Sequence, residues 1–459
     1  MVFAVSAVGL LGMVGLGTEV GAWYLARSAA DNAADAAACA AALAVSNGSS
    51  YQDAGLNTAA ADGYAAGGPV AVTVNNPPAT GGYAGNPAAA EVVIDTTFTP
   101  VVAGLFTKAI PTVASRSVAM VEPVGNACAV SLTGDMQITQ ATGDQDKQCY
   151  FASNAGDGTA VNTPAASISA YGVTSVGSCF GCNGPPALLR QAASYQPPTT
   201  NPYTAIDALS FGSFQPVTVP STLPANYTLV PATATGTFNT GTPAVATYAW
   251  TSGQPFYAYE GNLTIPAGTT LTLVPGVYFF VNASLTMLNG STVQCRLTAS
   301  GAGACAPGNA GVTIVLLGNP ASSVGNLTIQ PTATVVLGAL NSQTGSFANS
   351  SGLGAGYTAL NGILFYRRGL AGGENIGAPG VNIAGNTGST PTILNGGMYF
   401  PNSYVWYGAN GNSNDTATCA IVAAAYLSLT NAPSLFSSND CPTVYKTPMP
   451  QVEAVRVVE

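Results

Sequence analysis

The chain has 459 residues, a net charge of −9, 6% charged residues and no histidine. That composition excludes histidine-based triads. It also excludes a nucleic-acid partner, because the ten basic residues stand singly or as one pair and form no positive run. An apolar fraction of 47% is too high for a disordered chain, and 54 Gly with 31 Pro point to many short strands and turns.

Residues 1–45 contain no Pro, and Glu19 is the only charge before Arg27. A helix of 26 residues reaches about 39 Å, enough to cross a hydrocarbon core of roughly 30 Å. A cleaved signal peptide fits poorly, since no basic residue precedes the apolar run and the helical pattern continues past any cut. A membrane anchor and a helix that packs against copies of itself both fit. Gly9, Gly12, Gly15, Gly17 and Gly21 favour packing: each costs about 1 kcal/mol against Ala in a helix, but glycine lets backbones approach. Ala29, Ala33, Ala37 and Ala41 extend the small-residue stripe. Glu19 in such a helix marks a paired or interfacial position, with Arg27 as one candidate partner.

The run GLGTEVGAWYLARSAADNAADAAACAAALA resembles the N-terminal signature of TadE/TadG-like proteins of tight-adherence (Flp-type) pilus systems. Glu19, Gly21, Trp23, Tyr24, Asn32, Ala33, Ala34, Asp35 and Ala36 fall on that pattern, while Cys39 replaces a small or aliphatic residue. The basic segment that usually precedes the helix is absent, and the fifth residue, glutamate in type IV pilins, is Val5. The resemblance implies a helix that serves assembly or anchoring. Gly9, Gly12, Gly15, Gly17, Glu19, Gly21, Trp23, Tyr24 and Arg27 are the residues expected to pack there.

Next comes a small α/β head over 46–124, pilin-like by the same resemblance. A loop or second short helix is predicted at 51–66, and strands at 70–74, 91–98 and 112–122, with a turn of helix at 101–108. Arg116 reads as a solvated strand residue.

From 125 to 459 the pattern is short Thr/Val/Ile/Leu strands between Gly, Asn and Pro. An irregular insertion occupies 185–260, with a short helix near 203–209 and no sign of chemistry. Sets of three strands recur at 262–265, 270–273 and 277–280, then at 326–329, 334–337 and 363–366, then at 381–384, 392–394 and 398–400. Strands at 312–317 and 404–407 fill further rungs. Three strands per repeat suit a coil of a parallel β-helix, expected right-handed, with an antiparallel sandwich as the competing fold. The segments PGVYFFVNASLTMLNGSTV, GILFYRR and GGMYFPNSYVWYGANG resemble the C-terminal region of longer TadG-type proteins, which favours the solenoid. The overall class is therefore α+β.

Apart from Cys39, eight cysteines fall into local groups: Cys128 with Cys149, Cys179 with Cys182, Cys295 with Cys305, and Cys419 with Cys441. Local disulfides are expected, although spacing alone does not fix connectivity. Zinc at Cys179 and Cys182 lacks a second CxxC and any histidine. Disulfides imply an extracytoplasmic location.

For catalysis the candidates are Asp144 and Asp146 with Lys147, Glu260, Arg367 with Arg368, and Glu374; none forms a recognisable acid–base pair. Arg367 and Arg368 read as solvated or paired with Glu374. The expectation is a non-enzymatic structural subunit of an extracellular pilus-like filament, without cofactor or metal. Its partners are copies of itself, the inner membrane before assembly, and Tad-type secretion machinery. The alternatives are a membrane-anchored TadG-like accessory protein and, less favoured, a β-helix enzyme acting on polysaccharide.

Overall fold

Alanines three and four residues apart let a helix approach its neighbours closely, and the first helix uses them within its own subunit. The computed structural model describes residues 2–98, 112–140, 149–163, 169–182, 188–211, 213–218, 223, 225–229, 256–295, 305, 311–341, 355–369, 379–385, 392–409, 417–430 and 436–459. The chain divides into two units, Met1–Val124 with Glu453–Glu459, and Gly125–Val452.

In the first unit, α1 spans Val2–Ser46 and α2 spans Tyr51–Ala61, capped by Ser50 accepting from the Asp53 N–H at 3.2 Å. Strands β1 (Val70–Asn75), β2 (Ala89–Thr97) and β3 (Thr112–Ser131) follow, with β1–β2 and β2–β3 antiparallel. Ala33, Ala34, Ala37, Ala38, Ala41 and Ala42 form one core with Ala59, Val74, Val92 and Ile94. The expected stripe through Ala33, Ala37 and Ala41 is therefore spent on intramolecular packing rather than on a second copy. Gly55 allows this approach: a Cβ there would lie 2.9 Å from Val74 Cγ2 and 3.5 Å from Ala41 Cβ. The predicted turn of helix at 101–108 lies outside the described residues.

Arg116 is not a solvated strand residue. Its Nε lies 2.6 Å from Glu91 Oε1 and its Nη1 2.8 Å from Glu459 Oε2, and Nη2 donates to the Thr80 carbonyl at 2.6 Å. Residues 453–459 join this unit through Val118 N–H to the Glu459 carbonyl, 2.8 Å, and Val458 N–H to the Val118 carbonyl, 2.8 Å.

The second unit is a mainly-β region built on three ladders of parallel pairs. The first ladder joins Phe214–Thr218, Phe256–Glu260, Gly276–Val281, Val312–Leu317, Ile363–Arg367 and Thr392–Ala409 in succession. The second joins Leu263–Ile265, Leu285–Met287, Leu327–Ile329, Val381–Gly385 and again Thr392–Ala409. The third joins Asn226–Leu229, Thr270–Leu273, Thr292–Cys295, Thr334–Gly338 and the start of Thr392–Ala409. Equivalent residues face each other, as in Leu263, Leu285, Leu327 and Val381, all buried. A ladder of like apolar residues covers each rung with the next. Parallel pairing rules out the antiparallel sandwich. The repeat pattern had passed over the rungs at Leu285–Met287 and Thr292–Cys295.

The order of the stack is not the order of the chain. Ala420–Thr430 pairs with Thr392–Ala409 on one side and with the end of β3 and Met136–Gln140 on the other. Cys149–Ser153, Ser169–Ser175 and Leu188–Ala193 continue from there, also parallel. The first strands of the unit thus meet its last ones in the middle of the stack. Residues 194–213 link its two ends. This connection is pinned by Asn154, which exchanges bonds with Thr199 (2.8 and 2.9 Å), and by Tyr203 Oη donating to the Pro448 carbonyl at 2.7 Å. A one-turn helix at Thr204–Asp207 stands where a short helix was predicted.

Four disulfides join Cys128–Cys149, Cys179–Cys182, Cys295–Cys305 and Cys419–Cys441, and Cys39 is free. Among the described residues no helix is long and apolar enough to cross a membrane. The expected bilayer-crossing segment is therefore not found there; Glu19, Arg27, Asp31 and Asp35 interrupt the described part of α1.

Candidate functional site

From Ala30 onward α1 is wrapped by its own unit; before it, several large apolar side chains among the described residues are exposed. Among the described residues, Met13 (74% exposed), Val20 (56%), Tyr24 (74%) and Leu25 (70%) are the large apolar side chains left bare on α1. At about 100° per residue, Met13, Gly17, Val20, Gly21 and Tyr24 fall within roughly 100° of one another, one stripe about 17 Å long. A Cβ added at Gly17 or Gly21 would meet nothing within 4 Å, so the two glycines face open space. Gly15, Glu19 and Trp23 are half-buried, and Tyr64 Oη donates to the Ala26 carbonyl at 3.3 Å. The sequence had grouped all these residues together; the helix separates Tyr24, Gly17 and Gly21 from Glu19 and Trp23. The surroundings of Gly9 and Gly12 lie outside the described residues.

Arg27 lies one turn from Asp31, 3.9 Å between Nε and Oδ2. One sequence expectation about charge is corrected. Arg367 is not solvated: it is buried, and donates to the Gly325 carbonyl at 2.7 Å, Ser403 Oγ at 2.7 Å and Asn326 Oδ1 at 3.2 Å. Glu374, Asp144, Asp146 and Lys147 lie outside the described residues. Burial, and then Asp35, push the half-buried Cys39 thiol above its usual range.

A second polar cluster was invisible in the sequence. Asp207, from the connecting segment, accepts a short hydrogen bond from Tyr399 Oη, and Asn201 Nδ2 donates to the same hydroxyl at 3.1 Å. Tyr203, Tyr399, Tyr366 and Phe211 follow one another at centroid distances of 5.2, 5.8 and 6.3 Å. Burial raises the Asp207 carboxyl above the usual range, although the Tyr399 hydroxyl and Arg368 oppose that. Among the described residues no group of three or more His, Cys, Asp or Glu side chains is placed to hold a metal ion.

Residues 1–45 match the family model described as Flp pilus-assembly TadE/G-like. No curated protein matches the chain. Among solved structures, the competence-associated pilin ComZ from Thermus thermophilus is matched at 9% identity, covering 85% of this chain and 88% of that one. The TM-score is 0.19, which establishes no common fold. Over residues 1–45, the helical segment at its head, the chain is therefore similar to TadE/G-like proteins of Flp pilus assembly.

Proposed function

We propose that this protein is a non-catalytic structural subunit of an extracellular pilus-like filament, assembled through its N-terminal helices. The exposed stripe of Met13, Gly17, Val20, Gly21 and Tyr24 supports this reading, because water is a poor neighbour for so much apolar surface on one helix face. Copies of the same stripe are its occupants, with Gly17 and Gly21 setting a close interhelical approach. The β unit, read as a right-handed parallel β-helix, is then the part displayed outside, with the disulfides fitted to that compartment. Before assembly the helix is held at the inner membrane and handed on by Tad-type secretion machinery.

Replacing Gly17 and Gly21 together with Leu fills the space through which a second helix would approach. Filaments are then lost while the circular dichroism of the β unit is retained. Filaments that persist in this variant would overturn the reading. A second reading, an envelope-anchored accessory to pilus assembly, is favoured by the pilus-assembly description of residues 1–45. In that case the same variant leaves envelope retention unchanged and no filament contains this chain.

A further inference from the structure

Beside the aromatic series, Phe211, Phe214, Val281, Leu317, Gly318, Asn319 and Arg368 enclose a cleft of about 200 Å³. The guanidinium carbon of Arg368 lies 6.0 Å from the centre of the Phe211 ring. The Arg368 backbone is fixed on both sides: its N–H donates to the Leu316 carbonyl at 3.2 Å, and its carbonyl accepts from Asn402 Nδ2 at 3.0 Å. Its side chain is exposed, and among the described residues none accepts a hydrogen bond from the guanidinium. Asp207, the nearby acid, accepts from Tyr399 and interacts with Arg368 through charge only, with no hydrogen bond between them.

The opposite rim is equally fixed. Asn282 exchanges bonds with the Asn319 backbone, 2.7 Å to its N–H and 3.0 Å to its carbonyl. Gly318 packs so tightly that a Cβ would fall 2.5 Å from the Ala321 carbonyl oxygen and the Val324 nitrogen. The Asn319 side chain stands exposed at this rim.

We propose that this cleft binds a single acidic sugar ring, a hexuronate-type residue. A pyranose presents an apolar C–H face and a hydroxyl edge, which match the Phe211 and Phe214 rings and the Asn319 amide. The Arg368 fork takes the carboxylate, for which a planar guanidinium gives paired hydrogen bonds. The size admits one ring and not a buried chain, so the site reads a terminal or protruding residue of a surface glycan. The inference concerns the β unit alone and stands whether or not the chain forms filaments.

The test uses the purified full chain and ligand-observed NMR titration with methyl β-glucuronide, methyl β-glucoside and acetate. Glucuronide is expected to bind at millimolar concentration, with the glucoside and acetate each weaker by about tenfold or more, a difference of about 1.4 kcal/mol. Arg368→Gln and Phe211→Ala should each weaken glucuronide binding by a similar factor, and Arg456→Gln should leave it unchanged. Absence of glucuronide binding, equal binding of all three probes, or binding that survives both cleft substitutions would overturn the proposal.

Discussion

Glu91 is 1% exposed, and Arg116 Nε lies 2.6 Å from its carboxylate. Consider Arg116→Met, which keeps the length of the side chain and removes its charge and donors. Breaking a buried pair by removing one partner costs about 3–5 kcal/mol. Here Glu91 keeps the Asn75 amide at 2.7 Å, the Ala79 N–H at 3.0 Å and the Thr80 hydroxyl at 3.4 Å, and Arg116 is itself 29% exposed. The expected loss is therefore smaller, about 2–3 kcal/mol. Urea unfolding at pH 7 reads it, with hydrogen exchange in β2 and β3 showing that the first unit is the part affected. Adding Glu91→Gln to Arg116→Met should recover a good part of the loss, since the unpaired charge is gone. A change below about 0.5 kcal/mol, the usual range for a solvated surface residue, would refute the reasoning. The pH dependence has a definite sign. Burial pushes the Glu91 carboxyl up, but its hydrogen bonds from Asn75 and Ala79 and its pairing with Arg116 outweigh that and hold it below the usual range. Its contribution is present above the unfolded pKa of about 4.3 and is lost as pH falls through the depressed folded value. The gap between parent and variant should be level at neutral pH and close only in acid.

At the junction of the stack, a Cβ on Gly134 would sit 1.9 Å from a Tyr426 ring carbon, so Gly134→Val should cost at least about 1–3 kcal/mol in chemical unfolding, with partial rescue by Tyr426→Ala. Loss without any rescue would move the cause away from that contact. For the disulfides, loop length ranks the effects. Replacing Cys128 and Cys149, 21 residues apart, with Ala should cost about 3 kcal/mol, and replacing Cys179 and Cys182, 3 apart, about 2 kcal/mol. Thermal melts of the two double variants test the order. Burial and then the neighbouring Asp157 raise the Asp135 carboxyl. That raised folded value makes stability fully present below the unfolded pKa of about 3.9 and reduced as pH rises through the folded one. Asp135→Asn should therefore raise the neutral-pH unfolding midpoint and flatten its change with pH; an unchanged profile would count against the Asp135–Asp157 contact.

The long helix was legible because 45 residues without Pro, first apolar and then rich in Ala, have few other meanings. The rungs beginning Leu263, Leu327 and Val381 were legible because each repeats the same apolar alternation. The rung at Leu285–Met287 and Thr292–Cys295 escaped because Met287, Gln294 and Cys295 break the Thr/Leu pattern while keeping its burial. Arg116 and Arg367 were misread for one reason: their partners Glu91, Glu459, Gly325 and Ser403 are distant in sequence, and only folding shows that a cation is enclosed. The aromatic series was hidden in the same way. Asp207 and Tyr399 are 192 residues apart, and the segment around Asp207 looked like an unpatterned Pro/Thr/Tyr loop. The helix face was half legible: glycine spacing marked it, but only burial separates Val20 and Leu25, left bare, from Ala33 and Ala37, enclosed.

The most direct measurement is electron microscopy of material sheared from the cell surface, with mass spectrometry of the same fraction. Regular filaments whose main component is this chain, with helices packed through the face of Val20 and Tyr24 in the reconstruction, are expected. Envelope-bound chain with no filament containing it would contradict assembly through α1.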